Sequence, residues 1–273
     1  SASDFENNNA TQDGGWIYIK GDNTQIKDGS SFTENYAVNG GGIYLGGTNS
    51  EISATNFVGN NATHDGGGIY VMGNNTKAIA GSNFTENYAA HDGAGMYVEG
   101  MNTLISDSNF KKNNATNGAG MYIKGNNTNI TSGSNFIENY AVNGAGAFLE
   151  GSNTFVSGSI FDKNNATDGA GMYVKGSNTK ITSNSNFTEN YAAHDGAGMY
   201  VEGKNTLISA SGFEGNNATS GAGMYIKGNN TNITSNSNFT GNNATYGAGV
   251  YIEGMNTLIS DSNFTGNNAT IAG

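Results

Sequence analysis

Residues 82–100 have the sequence SNFTENYAAHDGAGMYVEG, and the same residues recur unchanged at 185–203. Variants of this stretch fill the rest of the chain, each marked by a phenylalanine at intervals of 25 to 27 residues. These are Phe5, Phe32, Phe57, Phe84, Phe110, Phe136, Phe161, Phe187, Phe213, Phe239 and Phe264. A fixed period in the twenties, with few apolar residues per unit, indicates a solenoid whose coils bury their inner faces only by stacking.

Each repeat contains three short segments that fit β-strands. The segments at 96–99 and 103–106 alternate apolar and polar residues, and a third surrounds the phenylalanine. The period lacks the i, i+3, i+4 spacing of a helix, which disfavours a leucine-rich repeat. We therefore predict an all-β fold, a right-handed parallel β-helix of about ten coils of 25–27 residues with three short strands per coil. One domain spans 1–273, and a rise of about 4.8 Å per coil gives a rod about 50 Å long.

Two asparagine columns and one glycine column mark the predicted corners. The first asparagine follows the phenylalanine by three residues in every repeat, and stacked amides can hydrogen-bond along the axis at a bend. This structural ladder includes Asn60, Asn87, Asn113, Asn139, Asn164, Asn190 and Asn216. The second column runs from Asn23 to Asn256, and Gly66, Gly93 and most of their equivalents follow Asp or Asn at a turn. The phenylalanines, Ile43, Leu45 and their equivalents are expected to form the core.

Two further columns are predicted to face outward. An exposed aromatic ladder is the candidate binding surface, with Phe148 in place of tyrosine in one coil, and it contains Tyr70, Tyr97, Tyr122, Tyr173, Tyr200, Tyr225 and Tyr251. Two residues further on, charges of alternating sign follow one another: Glu99, Lys124, Glu150, Lys175, Glu202, Lys227 and Glu253. Stacking places opposite charges side by side, so a slip by one coil would bring like charges together. The ladder thus favours one register.

Composition excludes several classes of function. The 273 residues contain 22 acidic and 11 basic side chains, a net charge of -11, which disfavours binding to nucleic acid or anionic lipid. No cysteine is present, so disulfides, thiolate metal sites and cysteine nucleophiles are ruled out. No apolar run has the length of a membrane span, and we expect no membrane insertion within this segment.

The repeat motifs resemble those of a known family. Phe57-Val-Gly-Asn60 followed by Gly66-Gly-Gly-Ile-Tyr70 is similar to the FxxN and GGAI repeats of polymorphic outer-membrane autotransporter passengers and of adhesin-like surface proteins of methanogenic archaea. The resemblance covers the whole chain. It implies a right-handed parallel β-helix displayed outside the cell, with adhesive or structural work at the cell surface. The fourth position of the GGAI-like motif is Met in five of the ten coils, as in Gly93-Ala94-Gly95-Met96.

A polysaccharide-processing enzyme, such as a lyase, hydrolase or phage-type depolymerase, is the main alternative. Its site would need paired carboxylates or a base where a long loop breaks the repeat, and nothing breaks this repeat. His64, His91 and His194 each precede Asp-Gly and are interpreted as turn residues. The Asp-Gly turns offer a weak Ca²⁺ alternative, but no cofactor is expected. No catalytic or metal-ligating residue is therefore assigned.

Ice binding is a second alternative, which requires a flat outward threonine array. Thr103, Thr128 and Thr179 have the parity of inward-facing isoleucines, so ice binding is disfavoured. Candidate glycosylation sequons recur and include Asn61, Asn74, Asn83 and Asn126.

We expect an extracellular, cell-surface adhesin stalk or filament building block that is not an enzyme. Its partners would be other copies of itself, end to end or side by side, or surface glycans and proteins. The chain begins and ends inside a coil, which favours a segment of a longer protein over an end-to-end filament subunit.

Overall fold

The computed structural model describes residues 3–27, 29–79, 81–131 and 133–271. All of its regular structure is β-strand, and every strand pairs in parallel with its equivalents in the coils above and below. The predicted parallel β-helix is confirmed. Three long sheets form its walls, and we name them by their characteristic residues: the Phe sheet, the Tyr sheet and the Ile sheet.

The Phe sheet has 11 strands. They are Asp4–Glu6, Ser31–Thr33, Asn56–Val58, Asn83–Thr85, Asn109–Lys111, Asn135–Ile137, Ile160–Asp162, Asn186–Thr188, Gly212–Glu214, Asn238–Thr240 and Asn263–Thr265. Phenylalanine pairs with phenylalanine at every step, as Phe84 does with Phe57 and Phe110. From Phe32 to Phe239 each ring is fully buried, and successive ring centroids lie 4.6 to 5.1 Å apart.

The Tyr sheet and the Ile sheet have 10 strands each. The Tyr sheet consists of Ile17–Ile19, Ile43–Leu45, Ile69–Val71, Met96–Val98, Met121–Ile123, Ala147–Leu149, Met172–Val174, Met199–Val201, Met224–Ile226 and Val250–Ile252. The Ile sheet consists of Gln25–Ile26, Glu51–Ser53, Lys77–Ile79, Leu104–Ser106, Asn129–Thr131, Phe155–Ser157, Lys180–Thr182, Leu207–Ser209, Asn232–Thr234 and Leu258–Ile259. Inward side chains of the three sheets form one continuous apolar core, as predicted.

A fourth set of short strands was not predicted. It lies at the corner between the Phe sheet and the Tyr sheet and forms one sheet of three strands and another of five. These corner strands are Tyr36–Ala37, Asn61–Ala62, Tyr88–Ala89, Asn165–Ala166, Tyr191–Ala192, Asn217–Ser220, Asn243–Tyr246 and Asn268–Ile271. Single parallel bridges at Asn114 and Tyr140 continue the column between the two sheets. Each coil therefore has one more paired segment than the sequence indicated.

The first asparagine column lies inside this corner as a buried ladder. The side chain of Asn113 accepts hydrogen bonds from the backbone N–H and the Nδ2 of Asn87, both at 3.0 Å. Its own Nδ2 donates to the carbonyl oxygen of Phe84 and to Oδ1 of Asn139, also at 3.0 Å. The same pattern repeats along Asn60, Asn87, Asn113, Asn139, Asn164, Asn190 and Asn216. Each amide thereby joins three coils and satisfies the backbone of a buried bend.

The second asparagine column is an exposed ladder at another corner. Every member, from Asn23 to Asn256, has a left-handed backbone with φ between 53° and 59°, which asparagine tolerates better than most residues. From Asn75 onward each Nδ2 donates to Oδ1 of the preceding coil, as Asn102 does to Asn75 at 3.0 Å. The two ladders run in opposite directions along the axis.

Candidate functional surfaces

The outward face of the Tyr sheet carries a continuous aromatic stack. Neighbouring rings from Tyr18 to Tyr251 lie 4.6 to 5.3 Å apart between centroids, with Phe148 in line. The rings cover one another, so Tyr97 and Tyr122 are only 5% and 7% exposed. The prediction that these tyrosines form an exposed ladder is therefore wrong. Tyr200 and Tyr225 are buried as well, and Tyr70, Tyr173 and Tyr251 are half-buried.

The charge ladder beside this stack is a network with a period of two coils. Lys124 lies 2.9 Å from the carboxylate of Glu99 in the preceding coil, and Lys175 lies 2.7 Å from Glu150. The tyrosine hydroxyls complete the pattern, since Tyr122 donates to Glu150 of the next coil at 2.6 Å. Tyr70 and Tyr173 donate in the same way to Glu99 and Glu202. Glu99 and Glu150 thus each accept from a tyrosine below and a lysine above.

The network shifts the acidity of its members. The hydroxyl of Tyr70, followed by the ammonium of Lys124, holds the pKa of Glu99 below its ordinary value. Burial raises the pKa of Glu150, but hydrogen bonds from Lys175 and Tyr122 outweigh it and leave the pKa lowered. Exposed ion pairs stabilise a fold by only about 0–1 kcal/mol each. The main effect of the network is therefore to specify the register in which the coils stack, and its contribution to the stability of the rod is small.

The network explains why phenylalanine is tolerated at Phe148. Phe148 lies two residues before Glu150, and the residue equivalent to Glu150 in the next coil is Lys175. A tyrosine hydroxyl at this position would therefore have no glutamate of the charge ladder in the next coil to donate to. We expect Tyr122→Phe to lower the free energy of unfolding by about 1–2 kcal/mol, because it removes a hydrogen bond to a charged acceptor. Tyr97→Phe is the matched control and should change it by less than about 0.5 kcal/mol. Urea denaturation monitored by circular dichroism measures both, and equal losses would contradict the network.

The aromatic stack also predicts an alkaline loss of stability. Burial, followed by the charge of Glu202, raises the pKa of Tyr200 to about 12, and burial also raises the pKa of Tyr97 and Tyr122. Below about pH 9 both folded and unfolded chains keep these protons, so stability is unaffected. Between about pH 10 and 12 the unfolded chain releases protons that the folded chain retains, so stability falls as pH rises. Urea midpoints at pH 9 and pH 11.5 test this; equal midpoints would contradict it.

The histidine turns lie together on adjacent coils. The ring centroids of His64 and His91 are 4.7 Å apart, and the backbone N–H of Asp92 donates to the carboxylate of Asp65 at 3.1 Å. Burial raises the pKa of both aspartates. Within the described residues, no group of three or more His, Asp or Glu side chains has the geometry of a metal site. The carboxylates serve the turn, because Asp92 also accepts from the amide of Asn117 at 2.8 Å.

The four candidate sequon asparagines occupy three different environments. Asn83 belongs to an amide ladder on the Phe sheet, where its Nδ2 donates to Asn56 and its Oδ1 accepts from Asn109. Asn74 and Asn126 accept backbone N–H bonds from the next coil at 2.7 and 2.8 Å. The side-chain amide of Asn61 has no hydrogen bond to any described residue. Asn61 lies in a corner strand, and its side chain points away from the buried alanine that follows.

The corner strands present an exposed column that sequence reasoning missed. We call it the corner row: Asn9, Tyr36, Asn61, Tyr88, Asn114, Tyr140, Asn165, Tyr191, Asn217, Asn243 and Asn268. Each member pairs with the next along the axis. Tyr140 is 56% exposed, and Tyr36, Tyr88 and Tyr191 are exposed too. The signal was present in the sequence, because tyrosine and asparagine alternate directly after the ladder asparagine.

Comparison with known families agrees with this geometry. Residues 1–158, more than half of the chain, match the family described as right handed beta helix region. The chain belongs to the right-handed β-helix family. A search of curated proteins and a search of solved structures each found no match to this β-helix. None of its described residues lies in a helix long and apolar enough to cross a bilayer.

Proposed function

We propose that this β-helix is an extracellular structural and adhesive repeat protein of the cell surface, an adhesin stalk or filament building block, and that it is not an enzyme. The observation that carries the proposal is the unbroken register of the three long sheets. Through all the described coils each column continues into the next, so no inserted loop builds a cleft over the rod. This regularity suits a rod whose length is set by coil number.

The resemblance to polymorphic outer-membrane passengers and adhesin-like proteins supports the same proposal. The repeats of the chain present similar outward side chains at a regular spacing, so weak contacts to surface glycans, to surface proteins or to further copies of the chain would add along the rod. With the aromatic stack largely buried, the corner row offers the exposed tyrosines for such contacts. The net charge of -11 is consistent with these partners and disfavours nucleic acid.

Immunogold electron microscopy of the cells that make the protein tests the proposal. We expect gold on the outer surface, along stalks or filaments, and none on cells in which the gene is deleted. Gold confined to the cell interior would contradict it.

A parallel assay separates the enzyme alternative. The purified protein should leave a panel of acidic and neutral polysaccharides uncleaved, and it should produce no thermal hysteresis in ice. Cleavage that is lost in Asp92→Asn or His91→Ala, but kept in His194→Ala on a distant coil, would instead favour a polysaccharide-processing site at the paired histidine turns.

A further inference from the structure

Asparagine and threonine vary together in the corner row. In all seven coils where this row has asparagine, threonine follows two residues later, giving Asn-Ala-Thr. In all four coils where it has tyrosine, the equivalent residue is alanine or valine. The asparagines are Asn9, Asn61, Asn114, Asn165, Asn217, Asn243 and Asn268, and the tyrosines are Tyr36, Tyr88, Tyr140 and Tyr191.

Other columns of the same chain serve as internal controls. Asn74 and Asn126 precede a buried threonine that every coil has as Thr or Ser, whether or not asparagine lies two residues before it. On the Phe sheet, Asn83 is followed by Thr85, but Asn109 is followed by Lys111. The two positions of the sequon are coupled only in the corner row. A simple alternation between odd-numbered and even-numbered coils does not explain this coupling, because the last three coils all have asparagine and all keep threonine.

The fold does not require these threonines. Thr116 and Thr219 donate to carbonyl oxygens of the preceding coil, Ala90 and Ala193, at 2.8 and 2.9 Å. The side-chain hydroxyls of Thr63 and Thr167 make no hydrogen bond to any described residue, yet these threonines accompany asparagine in the same way. The side-chain amides of Asn61, Asn114, Asn165 and Asn217 make no hydrogen bond within the described part of the chain. This contrasts with the buried ladder one residue earlier, where every amide is bonded. In the last two coils, the Nδ2 of Asn268 donates to Oδ1 of Asn243 at 3.1 Å.

We propose that the corner row is an attachment row for N-linked oligosaccharides, carried by the asparagines of its Asn-Ala-Thr coils. The Asn-x-Thr sequence is the acceptor pattern for this modification. The donor is a lipid-phosphate-linked oligosaccharide: the asparagine Nδ2 forms a bond to the anomeric carbon, the bond from that carbon to the phosphate oxygen breaks, one amide proton is released, and the lipid phosphate leaves. Because Ala62 and its equivalents are buried in the folded coil, transfer takes place on the extended chain before the coil closes.

Where asparagine and tyrosine alternate in the row, the spacing gives each sugar room. Neighbouring coils are about 4.8 Å apart, so asparagines in alternate coils are separated by about 9.6 Å. A pyranose ring fits in that interval, and at Asn61, Asn114 and Asn165 it would have a corner-row tyrosine in the coil above and another in the coil below. Apolar sugar faces pack well on aromatic rings. From Asn61 to Asn217 the row would thus present oligosaccharides at every second coil, separated by Tyr88, Tyr140 and Tyr191.

Glycopeptide mass spectrometry of the protein recovered from its own cells tests this inference, which depends on the proposed extracellular location. We expect sugar on Asn61, Asn114, Asn165 and Asn217, and lower occupancy at Asn74, Asn83 and Asn126. Thr116→Val should abolish sugar at Asn114, and Thr116→Ser, which keeps the acceptor hydroxyl, should retain it. Asn165 serves as the unchanged internal reference in both variants.

The outcomes separate the two proposals. A protein labelled at the cell surface but unmodified at these four asparagines would overturn the attachment row and leave the proposed function intact. Equal occupancy at Asn83 and in the corner row would also overturn it. Intracellular protein without sugar would overturn both.

Discussion

Replacing Phe161 with alanine should lower the free energy of unfolding by about 3–5 kcal/mol. The ring is fully buried and lies 4.7 Å from both Phe136 and Phe187, so its removal leaves a cavity and interrupts the aromatic column. The neighbouring coils cannot close this cavity without breaking the backbone pairing of the Phe sheet. Guanidinium denaturation followed by circular dichroism measures the loss.

Phe264→Ala is the matched control for this experiment. Phe264 occupies the same column but is 43% exposed, and it stacks on only one other phenylalanine of the column, Phe239. We expect a loss of less than about half that of Phe161→Ala, because less apolar surface leaves water on folding. Equal losses for the two variants would mean that the stacked core does not determine the stability of the rod.

The second large effect is expected at the buried amide ladder. Asn113→Ala should lower the free energy of unfolding by about 3–5 kcal/mol, because it leaves several buried polar groups without partners at about 1–3 kcal/mol each. The orphaned groups are the backbone N–H and Nδ2 of Asn87 and the carbonyl oxygen of Phe84. The measurement is the same denaturation, on protein from a bacterial host that adds no N-linked sugar.

The chain supplies an adjacent control, since Asn114 follows directly and is exposed without a side-chain bond to the described residues. Asn114→Ala should change stability by less than about 0.5 kcal/mol. The same chemical change one residue apart thus separates the ladder from asparagine in general. A small loss in Asn113→Ala, comparable to that in Asn114→Ala, would contradict the structural role of the ladder.

The fold could be predicted from the sequence because each repeat forms one coil, so that equivalent residues of successive repeats lie above one another along the axis. The phenylalanine intervals fix the coil, and the period-two alternation at 96–99 and 103–106 fixes which side chains face inward. The corner strands were missed because most have only two residues, too few to show any alternation. Their pairing follows from the stacking of neighbouring coils and not from a local signal.

The exposure of the tyrosines could not be predicted from alternation alone. The in-and-out alternation of side chains along a strand places Tyr97 and Tyr122 on the outer face correctly. It cannot show that rings about 5 Å apart cover one another. The direction of the tyrosine hydrogen bonds was also hidden, because it depends on how far each side chain leans along the axis. The corner row, by contrast, was fully visible in the sequence as alternating tyrosine and Asn-Ala-Thr.

Electron-spin distance measurements test the stacking of coils most directly. The chain has no cysteine, so spin labels can be attached at introduced pairs in the corner row: Tyr36→Cys with Tyr140→Cys, Tyr191→Cys or Asn243→Cys. These pairs are four, six and eight coils apart, and we predict distances of about 19, 29 and 38 Å. A linear increase of about 4.8 Å per coil is the expected result. Distances that do not grow with coil number would contradict the stacked solenoid.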